Sequence, residues 1–339
     1  MPETSHPTSR TTPKKSPWKT LLRILVTLLF LAIVIFFVDA RALFARVASL
    51  DPIWVGIALL ATLPQYVLSA ARWRLTAERL GAFLPFRVAL SEYYLAVFAN
   101  QILPGGVLGD AARAVRHGHA LTSRDEAHRY GPAIRAVIFE RASGQLVLFL
   151  FMLAGLFFWP SAPQGQAPFI EIAAIVLIAI VILGLGLFFL IRSPLAQSPL
   201  AQSSLAKSRL GIGASGLFAE ARHALFARDV ILRQALYSLS VLATYLFCFY
   251  CAGRAIGISM SLGEVVALVP AILFSMTIPI TIAGWGIREA SAAAIWGLAN
   301  LTPSDGVAVS VTYGIIVFLS ALPGVFFVIP RSSKGDVSN

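Results

Sequence analysis

The chain has 339 residues, 58% of them apolar and 13% charged, with a mean hydropathy of +0.79; that is about half the charged share of a soluble domain. A net charge of +11 invites a nucleic-acid reading. The basic residues instead flank apolar runs, where the positive-inside rule and anionic headgroups account for them, and no zinc-finger, helix-turn-helix or RNA-binding pattern stands beside them.

The apolar residues fall in runs of roughly 18–25, the length a helix needs to cross a hydrocarbon core of about 30 Å. Backbone amides in lipid must pair within the segment, so these runs are predicted helices, and the short alternating strands of a β-barrel are not seen. The predicted fold is an all-α polytopic integral membrane protein with about six to eight spans, two broken re-entrant elements and room for an inverted repeat.

In chain order, residues 1–18 are rich in Ser, Thr and Pro and read as a disordered cytoplasmic segment. A single membrane domain is expected over 19–330, and a cytoplasmic tail over 331–339. Spans are predicted at 20–38, 53–71, 138–159, 169–191, 232–252 and 306–329. The first follows Arg10, Lys14, Lys15 and Lys19 without a small-residue cleavage site, so it reads as an uncleaved signal anchor. Residues 192–231 read as a basic polar loop whose Ser-Pro-Leu-Ala-Gln repeat marks a linker. Cys248 and Cys251 lie in an apolar run and read as packing residues.

Charge sets the expected topology. With the basic N-terminus in the cytoplasm, the second span returns at Arg72, Arg74, Arg79 and Arg87. If 88–104 also crossed, the stretch holding Arg113, Arg116, Arg124, Arg129 and Arg135 would lie outside. The repair is a re-entrant 88–104. A second re-entrant hairpin over 264–299, entering from the other face, then leaves the C-terminus cytoplasmic; a crossing 264–283 is the alternative. This places the protein in the cell inner membrane with both termini inside.

The two broken elements carry the functional signal. One holds Asn100, Pro104, Gly105, Gly109, Asp110 and Arg113; the other holds Pro279, Gly284, Gly286, Arg288 and Glu289. Paired Pro/Gly-interrupted segments in the two halves of a membrane protein point to a transport site. A helix broken within the membrane frees N–H groups that attract an anion, and Arg113 and Arg288 suit a two-pronged phosphate contact. Kinked packing helices with structural ion pairs are the plain alternative. Glu140 and Arg141, expected at the opening of a span, either line the path or form an interfacial pair. Glu92 is expected to meet a nearby arginine. The loop histidines 117, 119, 128 and 223 read as solvated, and Trp18, Trp54, Trp73 and Trp159 as interfacial anchors.

No enzyme pattern is found. H-E-x-x-H, Walker A and G-x-G-D are all missing from the sequence, and no catalytic residue, metal or cofactor is expected.

The ordered set Asn100…Leu103-Pro104-Gly105…Gly109-Asp110…Arg113, then Glu140-Arg141, then Pro279…Gly284-Trp285-Gly286-Ile287-Arg288-Glu289 resembles the lysylphosphatidylglycerol synthase transmembrane-region family, the flippase-like domain family. The resemblance covers about residues 20–330. It implies a lipid or lipid-linked-glycan transporter without the soluble synthase domain that multidomain members carry. The expected partners are membrane lipids, either an anionic phospholipid or a polyprenyl-phosphate, with room for a lipid-modifying enzyme partner or a homo-oligomer. The rival reading is a non-transporting scaffold of a lipid-modifying or glycan-assembly enzyme.

Overall fold

Asp51 and Pro52 start the first described helix. The Asp51 carboxylate accepts the N–H of Ile53 at 2.8 Å, and a proline in the first turn sacrifices no helical hydrogen bond. A computed structural model describes residues 48–103, 106–121, 126–157, 214–277 and 281–327, with the single positions 25 and 46. Its helices are α1 (Pro52–Arg79), α2 (Phe86–Ile102), α3 (Leu108–Ala120), α4 (Glu126–Phe157), α5 (Ala214–Phe226), α6 (Ile231–Ala255), α7 (Leu262–Ser275), α8 (Ile287–Leu298) and α9 (Pro303–Ala321), closed by a 3₁₀ segment at Leu322–Phe327. Among the described residues there is no strand.

Four segments are long and apolar enough to cross a membrane: Pro52–Arg79, Tyr130–Gly155, Ile231–Ala255 and Pro303–Phe327. They correspond to four of the six expected spans; 169–191 and all of 20–38 but position 25 lie outside the described residues. Leu60 on α1 and Leu232 on α6 are 66% and 68% exposed, whereas Arg72, Glu140 and Gln234 are buried. Apolar outside and polar inside is the pattern of a protein solvated by lipid.

The helices meet on small residues, which let membrane helices approach closely. Helix α1 runs antiparallel to α6. The N–H of Asp51 donates to the carbonyl of Ala255 at one end, and Arg79 pairs with Asp229 at the other. Between them Gln234 donates to Thr76 at 2.9 Å. The larger core gathers Ala58, Phe249, Leu268, Ile272, Trp296 and Tyr313 from α1 and α6–α9. A second core, around Ala70, Trp73, Leu84, Ala89, Ala114 and Ala136, joins α1–α4.

Two expectations change and one alternative falls. Part of the 192–231 loop is helix α5, which packs Ala224 and Leu225 against Phe139 of α4; its apolar stripe outweighs its polar composition. The segment 264–283 is not one crossing helix, for α7 ends at Ser275, beyond Pro270, which it contains. The fourth helix begins at Glu126, so Glu140 and Arg141 do not open a span. They lie about 15 Å along the axis from Tyr130, at 1.5 Å per residue.

Candidate functional site

Each broken element is a short helix, a break, and a second helix carrying an acid at its third position. At the first break Asn100, near the end of α2, reaches across to α3. Its Oδ1 accepts the N–H of Gly109 at 2.8 Å, and its Nδ2 donates to Asp110 Oδ2 at 2.8 Å. A side chain at position 109 would bring Cβ within 2.0 Å of the Ala96 carbonyl oxygen. Glycine is therefore required by close approach.

At the second break Ala283, Gly284 and Gly286 have φ values of 51°, 77° and 86°. The left-handed region strains alanine but not glycine. The chain turns there into α8, and Glu289 Oε2 accepts the N–H of Gly286 at 2.6 Å. In both elements the acid sits by a helix N-terminus, where the dipole favours it. Pro104, Gly105 and Pro279 lie outside the described residues.

Each break feeds an ionic cluster held by the next long helix. In the second, Arg288 donates through Nη2 to Glu289 Oε1 at 2.6 Å and through Nε to Ser310 of α9 at 3.0 Å. In the first, Arg113 donates to Asp110 Oδ1 at 2.9 Å and to Glu140 Oε2 at 2.8 Å. Its guanidinium lies 4.5 Å from the Trp73 ring centroid and 4.6 Å from that of Tyr93. Arg72 donates to Glu140 Oε1 at 2.6 Å and to Ser238 at 3.0 Å. Arg141 pairs with Asp110. Three guanidiniums thus face two carboxylates, a surplus of one positive charge. The first cluster lies toward the Arg79 end of α1. The second lies toward the opposite end, near Asp305, which pairs with Arg46.

A cavity of about 400 Å³ lies between the clusters. Of the expected site residues, Asn100, Glu140, Arg141 and Gly284 line it; Gly109, Asp110, Arg113, Gly286, Arg288 and Glu289 do not. Arg113 and Arg288 are 0% and 2% exposed and matched by carboxylates. Arg141 has a side chain 40% exposed, so the cation offered to the cavity is Arg141. The cavity also brings in Arg72, Gln145, Tyr245, Thr281 and Tyr313. None of them was singled out as a site residue in the sequence. Arg72 could have been, as an arginine near the end of an apolar run of helical length.

A family model described as lysylphosphatidylglycerol synthase TM region matches residues 21–324. The chain belongs to this family. Membership and the four apolar helices make it a multi-pass membrane protein. No curated protein and no solved structure matches it.

Glu92 accepts from Arg116 at 2.6 Å, as expected. His117 is not solvated: it is 4% exposed, edge-on to Trp73, with Nε2 3.2 Å from the Phe83 carbonyl oxygen. Burial holds its imidazole below the usual pKa, and Arg113 adds to the effect. His119 and His223 are exposed. Trp73 is fully buried beneath Arg113 and anchors no interface. Trp54 is half-buried under Arg254. Trp18, Trp159 and the side chain of His128 lie outside the described residues. Cys248 and Cys251 are free and buried.

Proposed function

We propose that this protein translocates an anionic lipid, a phospholipid or a polyprenyl-phosphate, across the cell inner membrane, with both termini cytoplasmic. The observation that carries the reading is a cluster of three guanidiniums against two carboxylates, with the half-exposed Arg141 on the wall of a cavity lying between two broken elements. A phosphate is the ligand that a planar, permanently charged fork accepts in two-pronged fashion. Arg141 contacts the headgroup. Asp110 and Asn100 hold Arg141 in place, and Arg113, Glu140 and Arg72 brace the cluster. Arg288, Glu289 and Ser310 fix the second break. No bond is made or broken in this scheme, so it describes a transporter and not an enzyme. No nucleotide-hydrolysing motif accompanies it, so movement is downhill, ion-coupled or driven by a partner.

The test uses liposomes containing the purified protein and a fluorescent anionic lipid in both leaflets. Rapid loss of inner-leaflet protection against an external reductant is expected. It should slow about tenfold or more in Arg141→Gln, as befits loss of a charge-assisted contact of about 1.5–3 kcal/mol. Movement of no lipid tested would favour the scaffold reading. Movement unchanged by Arg141→Gln would remove this site from the pathway.

A further inference from the structure

We infer that the cavity selects an anionic lipid whose headgroup beyond the phosphate is uncharged and rich in hydroxyl or amide groups, and that it disfavours headgroups bearing an ammonium. The inference rests on the translocator reading and names its substrate class.

Charge speaks first. Among the described residues lining the cavity, Glu140 is the sole carboxylate. Its Oε1 is taken by Arg72 and its Oε2 by Arg113. Among the described lining residues no carboxylate is left to meet an ammonium. Aromatic rings are the other receptor for an ammonium. Of the four tyrosines lining the cavity, Tyr66, Tyr93, Tyr245 and Tyr313, two already face a guanidinium. Arg113 lies 4.6 Å from the ring of Tyr93, and Arg288 lies 5.5 Å from that of Tyr313.

Unpaired polar groups speak second. Thr281 and Gln145 both line the cavity, and Thr281 Oγ1 and Gln145 Oε1 are buried without hydrogen-bond partners. Buried polar atoms are nearly always paired, and those that are not call for an explanation such as a missing ligand. Gln145 follows Arg141 by one helical turn, about 6 Å farther along the same face of α4. A headgroup with its phosphate on Arg141 would present its next atoms at that depth. Thr281 supplies a hydroxyl from the second break. An amide oxygen and a hydroxyl are complementary to hydroxyl and amide groups.

The experiment offers the full-length protein in detergent equal amounts of phosphatidylglycerol, phosphatidylethanolamine and phosphatidic acid. Occupancy is read by native mass spectrometry, and movement of each lipid is measured in liposomes. Phosphatidylglycerol should exceed phosphatidylethanolamine at least tenfold. Thr281→Val and Gln145→Leu should each weaken phosphatidylglycerol about fivefold, the worth of one neutral hydrogen bond, and leave phosphatidic acid unchanged. Thr281→Val removes an unpaired hydroxyl at constant shape, so its melting temperature should hold or rise, which separates lost recognition from lost folding. Equal or stronger binding of phosphatidylethanolamine overturns the selectivity. If lipid still moves and still depends on Arg141, the translocator reading survives that result. If no lipid binds and none moves, both readings fall.

Discussion

Glu140 is the residue on which the first cluster depends. It is 1% exposed and accepts from Arg72 and Arg113, which are themselves buried. Removing one partner of a buried ionic group leaves the others uncompensated, at about 3–5 kcal/mol. Glu140→Gln should therefore lower the detergent melting temperature sharply. Glu92→Gln, breaking a pair whose arginine is 39% exposed, should barely move it. Equal melting temperatures would show that the cluster is not a structural keystone. His117 gives a pH dependence whose sign follows from burial. Its folded pKa lies below the usual histidine value of 6.5, so the unfolded chain binds the extra proton first. Stability should fall as pH drops through and below that value, and His117→Gln should flatten that part of the profile. A profile unchanged by the substitution would contradict the assignment.

At the scale of elements, the glycines and the acid–arginine pairs of the breaks were legible in the sequence, because a broken helix needs special backbone and because ionisable residues stand out in an apolar chain. Which arginine faces the cavity was not legible. Arg113 and Arg288 lie in the motifs, yet packing buries both, while Arg141 belongs to a dipeptide that pattern alone places equally well at an interface. The cross-break clasp of Asn100 on Gly109 and Asp110 depends on how α2 meets α3, which no local pattern encodes. Helix α5 was lost in a polar loop because its stripe is short. Gly109→Ala is expected to be severe, since the added Cβ would stand 2.0 Å from backbone. Gly81→Ala places nothing within 4 Å and should cost only the strain of its positive φ, about 1–2 kcal/mol. Comparing folded yield and melting temperature of the two checks the clasp; similar losses would contradict it.

Across the whole molecule, two elements of the same design lie toward opposite ends of an antiparallel pair of helices, with the cavity between them. Apolar run lengths were enough to anticipate the four described spans. They could not supply depth, which comes from side-chain pairing across helices. The topology has its own check. Single cysteines at Phe83 and Leu262, which are 68% and 75% exposed, stand near opposite ends of the bundle, and the native cysteines are buried. An impermeant maleimide should label Leu262→Cys in intact cells and Phe83→Cys only after the membrane is opened. The reverse pattern would invert the orientation.

Under the proposed function the headgroup passes through the cavity between the breaks. Gln101 lines that cavity and belongs to neither ionic cluster. The most direct measurement is the transbilayer rate of a fluorescent anionic lipid in liposomes holding Gln101→Cys protein, before and after a bulky methanethiosulfonate is attached, and again after a reductant releases it. A headgroup passing through this cavity should give a fall of about tenfold or more on attachment, a barrier increase of about 1.4 kcal/mol or more, with recovery on release. Complete modification that leaves the rate unchanged would contradict it.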